Sequence, residues 1–281
     1  MIKKIMVKGF VVVMVTFFMV LAGGVPGNAS DLDRFKGLSG ELRIAGGTAH
    51  IPVIKEAAKQ IMTLNPDIRI TIAGGGSGVG IKQVGEGLID IGNSGRKPTD
   101  KEISTYGLTL YRWAIDGVAV VVNPKNRVTS LTKQQLIDIF SGKTTNWKEI
   151  GGNDGQINLY TRDEASGTRA VFWKKAINKG DIALSANFVV SNGAMKTAVG
   201  NDPNAIGYMS AGFVDDSLTA VTLDGVKPDT ETIRSGEYTI ARGLYSNTRG
   251  DATGLSQQFI EYLLSNEGQS IVREKGFIPV N

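Results

Sequence analysis

Tyr160-Thr161-Arg162-Asp163-Glu164-Ala165-Ser166-Gly167-Thr168-Arg169 is the stretch around which the chain is organised. Before it, Gln156 to Tyr160 alternates polar and apolar residues, the period of a strand. After it, Val171, Phe172, Lys175 and Ala176 recur at helical spacing within Ala170 to Lys179. The spacing predicts Arg162 to Thr168 as a strand-to-helix loop, with Ser166-Gly167-Thr168 at the start of the helix. A helix start carries unpaired N–H donors and roughly half a positive charge. Gly167 lets the backbone approach a guest closely. Ser166 and Thr168 add hydroxyl donors, and Arg162 adds a planar fork suited to a tetrahedral oxyanion. Two readings fit these residues: an anion socket, or an ordinary Ser/Thr N-cap beside a surface arginine.

Working outward, the same strand–loop–helix signature appears twice upstream. Glu41 to Ala45 reads as a strand and Gly46 to His50 as the loop after it. A helical face of Val53, Ala57, Ile61 and Leu64 then starts at Pro52, so Thr48 is a hydroxyl at a helix start, either a donor to a guest or a plain cap. Ile68, Ile70 and Ile72 alternate as a second strand, followed by Gly74-Gly75-Gly76-Ser77-Gly78-Val79-Gly80 and a helix through Lys82, Val84 and Leu88. Gly75 and Gly80 have the spacing of a nucleotide P-loop, but Ile81-Lys82 replaces its Lys-Ser/Thr pair, and no dinucleotide fingerprint follows. What survives is a third hydroxyl at a helix start, Ser77, with a tight turn as the alternative.

Further along, Asp90 to Arg96 is a short strand running into a polar loop, and a helix starts at Pro98-Thr99-Asp100. Leu108 to Trp113 and Val118 to Asn123 read as two strands around Asp116-Gly117. The unbroken run Val118 to Val122 suits a strand buried on both faces. Ser130 is expected to cap a helix over Lys133 to Phe140. Beyond the central stretch, strands are expected at Asn187 to Val190, Ala205 to Tyr208 and Tyr238 to Tyr245. Helices are expected at Gly193 to Val199, Leu255 to Leu264 and Gly268 to Lys275. Alternation of strands and helices predicts α/β layers with largely parallel sheets.

At 281 residues the chain can bury a full core and suits two domains. Lys3, Lys4 and Lys8 precede the apolar run Phe10 to Ala22, and small, turn-forming residues follow from Gly23 to Ser30. Residues 1–30 therefore read as a secretory signal peptide cleaved near Ala29 or Ser30, with export to the periplasm. Without those three lysines, 28 basic residues face 27 acidic ones. A nearly neutral remainder has no electrostatic footprint for nucleic acid. Neither a disulfide nor a lipid-modified cysteine tether is possible, because the chain has no cysteine. One histidine, His50, and no cysteine give no basis for a metal site; His50 itself is expected in surface or loop packing.

Several motifs now stand in one order: Gly47-Thr48, Gly76-Ser77-Gly78, Asp90-Ile91-Gly92-x-Ser94, Asp116-Gly117 leading to Asn123-Pro124, Phe140-Ser141-Gly142 with Trp147, Arg162-x-x-x-Ser166-Gly167-Thr168, and Ile206-Gly207-Tyr208. This order resembles the phosphate-binding proteins of bacterial phosphate ABC transporters, across essentially the whole chain after the leader. The resemblance implies an α/β type II periplasmic-binding-protein fold, two α/β lobes joined by two hinge crossings that close on the ligand. One lobe would comprise 31–117 with 241–281, the other 118–240, with crossings near Gly117 and Ala241.

The family's contacts map onto Thr48, Ala49 and Ser77 in one lobe and Arg162, Ser166, Gly167 and Thr168 in the other. Better-known members carry an acid where this chain has Gly95-Arg96; it accepts the proton of bound phosphate and disfavours sulfate. Asp116 is the replacement the resemblance suggests, because an acceptor-only carboxylate repels an unprotonated oxygen; as the alternative, it stabilises the hinge turn. Ser94 and Arg96 are expected behind the direct contacts. The implied function is a monomeric, non-enzymatic receptor, without cofactor, that delivers inorganic phosphate to an inner-membrane ABC permease. Another tetrahedral oxyanion (sulfate, molybdate or tungstate) is the alternative guest. A serine hydrolase using Ser166 or Ser77 is a remote alternative: only His50 could complete a triad, and neither serine has the Gly-x-Ser-x-Gly or Ser-x-x-Lys surroundings.

Overall fold

Residues 30–281 are described by a computed structural model. The expected leader lies outside them except for Ser30, which caps a 3-10 turn over Asp31–Phe35 and donates to Glu267 Oε1 at 2.8 Å. The strands are β1 (Gly40–Gly46), β2 (Ile68–Gly75), β3 (Ile91–Ser94), β4 (Leu108–Val122), β5 (Ser130–Leu131), β6 (Asn158–Arg162), β7 (Asn187–Val189), β8 (Ala205–Ser210), β9 (Thr219–Ala220), β10 (Thr222–Leu223), β11 (Ala241–Arg249) and β12 (Ile278–Pro279). The helices are α1 (Ile51–Leu64), α2 (Ser77–Gly85), α3 (Asp100–Tyr106), α4 (Lys133–Phe140), α5 (Gly167–Lys175), α6 (Asn192–Asn201), α7 (Thr230–Ser235), α8 (Gly254–Leu264) and α9 (Asn266–Glu274).

The main sheet runs in the order β2-β1-β3-β11-β4-β8-β6-β7, with β12 and β9 also pairing β4. Pairing is parallel on both flanks, β1 with β2 and β3, and β6 with β7 and β8. In the middle it is antiparallel, because β11 runs against both β3 and β4, and β4 against β8. The expectation of largely parallel sheets thus holds only for the flanks.

Two lobes follow from where the apolar side chains go. One core gathers Val53, Ile54, Ala57 and Ile61 of α1, Ile44 of β1, and Phe259 and Leu263 of α8. The other gathers Leu136, Ile139 and Phe140 of α4, Phe172 of α5, and Ile206 and Tyr208 of β8. The chain passes between them along β4. Trp113 and Ala114 of β4 enter the first core, and Val118, Val120 and Val122 enter the second. Ala119 and Val121 point to the opposite face, against Met195 and Val199 of α6. The run is thus buried on both faces, each valine worth about 1.5–3 kcal/mol over its exposed state.

Two local expectations need correction. Asp116-Gly117 makes no break between strands: β4 is continuous for 15 residues, held by β11 as far as Gly117 and by β8 from Val118 onward. Pairing with Ala241 of β11 at the glycine, and with β8 from the next residue onward, keeps the chain extended there. Ser130 does not cap α4; Thr132 does, in a capping box with Gln135, and Ser130 belongs to β5. The box satisfies donors at both ends of the turn, which a cap two residues earlier could not do.

Candidate functional site

β1, β2, β3 and β6 all end beside one small cavity, and their following loops or helix starts line it. This is where the carboxyl ends of parallel strands favour a ligand. The lining residues are Gly47, Thr48, Ala49, Gly76, Ser77, Gly95, Arg162, Ser166, Gly167, Thr168 and Arg242, drawn close around a narrow space. The residues expected to touch a guest, Thr48, Ala49, Ser77, Arg162, Ser166, Gly167 and Thr168, are brought together here from both lobes. A wider open groove of about 1060 Å³ lies outside, along Arg96, Lys97, Lys174 and Lys175, and shares Arg242 as a wall. The smaller cavity collects the buried donors and is therefore the candidate site.

Each hydroxyl on the wall is already occupied as an acceptor. Thr48 Oγ1 accepts from Asn192 N at 3.2 Å and Asn192 Nδ2 at 3.1 Å. Ser77 Oγ accepts from Gly95 N at 2.9 Å, Thr168 Oγ1 from Arg242 Nη1 at 2.9 Å, and Ser166 Oγ from Arg169 N at 3.2 Å. A hydroxyl whose lone pair is taken has its O–H left to donate. Gly167 and Thr168 open α5, and N–H groups in a first turn have no intrahelical partner. The wall is therefore a set of donors.

Arg162 is the last residue of β6, inside the strand and not in the loop after it. Its side chain is 1% exposed. Nη2 donates to Val190 O at 3.0 Å, whereas Nε and Nη1 are buried with no partner among the described residues. Desolvation pulls the guanidinium below its usual range, opposed by the charge of Asp163. Beneath it, Tyr208 stacks on Phe172 with ring centres 3.9 Å apart. The Tyr208 hydroxyl accepts from Arg162 N at 3.2 Å and shares a hydrogen bond of 2.7 Å with Thr161 Oγ1. That stack fixes the strand end from which Arg162 projects.

Asp116 is buried behind Arg242 and does not line the cavity. Its Oδ2 accepts from Arg242 Nε and Nη2 at 2.9 and 2.8 Å, and its Oδ1 accepts from Ser210 Oγ at 2.9 Å. Burial raises this carboxyl, against the opposing pull of Arg242 and Ser210. Ser94 is fully buried and accepts from Asn247 Nδ2 at 2.9 Å, away from the wall. Arg96 is paired with Glu102 through contacts of 2.8 and 2.7 Å, which holds the Glu102 carboxyl down at about 2. His50, expected in surface or loop packing, is fully buried edge-on to Trp113, with Nδ1 3.0 Å from Gly47 O. It makes no hydrogen bond to Ser77 or Ser166. Among the described residues no cluster of His, Asp and Glu could hold a metal ion.

Sequence reading missed Arg242 and Asn192. Arg242 sits on a strand whose neighbours carry no motif, and Asn192 merely follows the N-cap Ser191 of α6. Nothing local marks either residue as part of a site. Only the pairing of Arg242 with Asp116 across β11 and β4, and the packing of α6 against the turn at Thr48, bring them in.

A family profile described as a PBP superfamily domain matches residues 36–267. The phosphate-binding protein PstS of Bacillus subtilis is 41% identical over 94% of this chain and 91% of its own length. PstS of Borreliella burgdorferi is 30% identical over 84% of this chain and 89% of its own. Among solved structures, a Clostridium perfringens protein assigned as a phosphate ABC transporter substrate-binding protein, with bound phosphate, superposes with a TM-score of 0.81. It is 35% identical and covers 86% of this chain and all of that one. An ABC-type phosphate transport receptor from Vibrio cholerae gives 0.69 at 32% identity, covering 84% of this chain and 99% of its own. The fold is that of a type II periplasmic-binding protein, two α/β lobes joined by hinge crossings. The chain belongs to the PBP superfamily, among the PstS phosphate-binding proteins.

Proposed function

We propose that this chain is a non-enzymatic receptor that holds inorganic phosphate between its two lobes and delivers it to the membrane permease of an ABC transporter. The observation that carries the reading is Arg162, which is buried with Nε and Nη1 unpartnered among the described residues, in a wall of hydroxyl and backbone donors. Leaving such donors unmatched costs about 1–3 kcal/mol each, more for a charged group, and an oxyanion matches them. The relatives' names and the phosphate bound in the Clostridium perfringens structure support the same guest. The proposed ligands are the hydroxyls of Thr48, Ser77, Ser166 and Thr168, the N–H groups of Ala49 and Gly167, and the Arg162 guanidinium. Three helix starts supply a field that favours negative charge.

The lobes assigned to this function are residues 31–117 with 241–281, and residues 118–240, hinged at Gly117 and Ala241. The handover of β4 from β11 to β8 at Val118 supports that division. The lysines and apolar run within residues 1–30 support export to the periplasm, tested by whether a processed form leaves the cytoplasm. Calorimetry tests the guest: phosphate is expected to bind tightly and to displace sulfate, molybdate and tungstate. Arg162→Ala should weaken phosphate by about 3 kcal/mol, roughly 100-fold, since it removes a buried charged partner. Undiminished binding in that variant, or sulfate prevailing at equal concentration, would overturn the reading.

A further inference from the structure

A second guanidinium stands at the cavity with a carboxylate behind it, and neither belongs to the donor set described above. We propose that Arg242 is a positioning residue for the oxyanion and that Asp116 acts through Arg242, the pair registering lobe closure without the carboxylate meeting the guest. The inference rests on the receptor reading and adds to it the residues that couple binding to closure.

Asp116 on β4 and Arg242 on β11 are register partners, one step from Gly117 and Ala241. Their side chains are 1% and 3% exposed, with Nη2 and Oδ2 2.8 Å apart. From that point the pair reaches the second lobe twice. Ser210 Oγ, at the end of β8, donates to Asp116 Oδ1 at 2.9 Å, and Arg242 Nη1 donates to Thr168 Oγ1, on α5, at 2.9 Å. Parting of the lobes would release both bonds. Arg242 Nη1 also donates to Gly95 O at 3.2 Å, which fixes a second piece of the cavity wall.

The consequence for the guest lies in Thr168. Because Arg242 occupies its oxygen, the Thr168 hydroxyl has its hydrogen free for the cavity, and this holds only while Asp116 orients the guanidinium. Asp116 Oδ2 accepts two bonds from Arg242 and Oδ1 accepts one from Ser210, so the carboxylate is engaged on both oxygens. A buried ion pair is poor stabilisation, since desolvation offsets the attraction. Its presence beside a cavity therefore points to function.

A double-mutant cycle distinguishes this arrangement from a carboxylate that touches the anion. Calorimetry with phosphate and with sulfate would be run on wild type, Asp116→Asn, Arg242→Gln, the double variant and Arg242→Lys. Each single substitution to a neutral amide is expected to weaken both anions by the same factor, roughly tenfold or more, from loss of a charge-assisted bond. The double variant should be no weaker than Arg242→Gln, and Arg242→Lys should recover part of the loss. The proposal is overturned if Arg242→Gln binds phosphate as wild type does, if the two losses add, or if Asp116→Asn keeps phosphate while gaining sulfate. Thermal unfolding without anion identifies a variant that fails to fold. In that case Ser210→Ala, which removes a single bond to Asp116, should still weaken both anions alike, by roughly threefold or more; no change there overturns the proposal as well. Wild-type protein binding neither anion would sink the receptor reading itself, a result distinct from intact binding in Arg242→Gln.

Discussion

At the scale of single residues, two buried nitrogen groups carry opposite burdens. Arg162 must stay charged in a place where burial disfavours charge, and its unmatched Nε and Nη1 are what a dianion would satisfy. His50 must stay neutral. Burial, and then the charge of Arg242, push its imidazole down to about 3, with Gly47 O pulling the other way. In the unfolded chain an imidazole returns to about 6.5. Between those two values the unfolded state therefore holds the extra proton, so stability falls as pH drops through that window. The slope is up to roughly 1.4 kcal/mol per pH unit, and the contribution is fully present above about 6.5. Urea midpoints from pH 7.5 to 4.5 should show this decline, flattened in His50→Gln; a slope unaltered by the substitution would assign the acid sensitivity to other groups.

At the scale of elements, the site is made of helix starts pressed together. Ser77 begins α2 and Gly167 begins α5. A Cβ on Gly167 would stand 2.1 Å from Ser77 Oγ and 3.1 Å from the Gly95 carbonyl carbon. Gly76 is under the same pressure from the other side: at φ 90° its own Cβ would lie 2.7 Å from Ala165 O. These glycines permit close approach between lobes. Gly167→Ala is accordingly expected to leave each lobe folded, since alanine suits a helix better, while overpacking the closed cleft. Overpacking of about 1–3 kcal/mol translates to roughly 5- to 150-fold weaker phosphate binding. Anion-free thermal stability within about 1 kcal/mol of wild type, alongside that loss, would locate the defect in closure; full affinity would refute it.

At the scale of the molecule, the lobes meet through direct hydrogen bonds around the cavity. Gly78 N donates to Ala165 O at 2.9 Å, Asn192 to Thr48, Arg242 to Thr168 and Ser210 to Asp116. A guest shared by both lobes strengthens every one of these by holding them in register, the hinge-closure mode of such two-lobed folds. Small-angle scattering should therefore show a smaller radius of gyration on adding phosphate. Ligand linkage predicts about 2.7 kcal/mol of added stability at one hundred times Kd, roughly 5 to 10 °C in melting temperature for a chain of this size. A melting temperature indifferent to phosphate would deny selective binding to the folded protein.

What the amino-acid order settled alone was local. The alternating residues of Ile68 to Ile72 and the unbroken apolar run of Val118 to Val122 specify strands, and the Arg162-x-x-x-Ser166-Gly167-Thr168 spacing specifies a hydroxyl-rich helix start beside a guanidinium. These depend on neighbours a few positions apart, so pattern suffices to read them. The continuity of β4 through Gly117, the place of Asp116 and the presence of Arg242 and Asn192 were decided by tertiary structure. Arg242 reaches Asp116 and Thr168 across 126 and 74 positions, and Asn192 reaches Thr48 across 144. Side chains so far apart in the chain have no spacing to betray them; only the crossing of two strands between two cores puts them at one cavity.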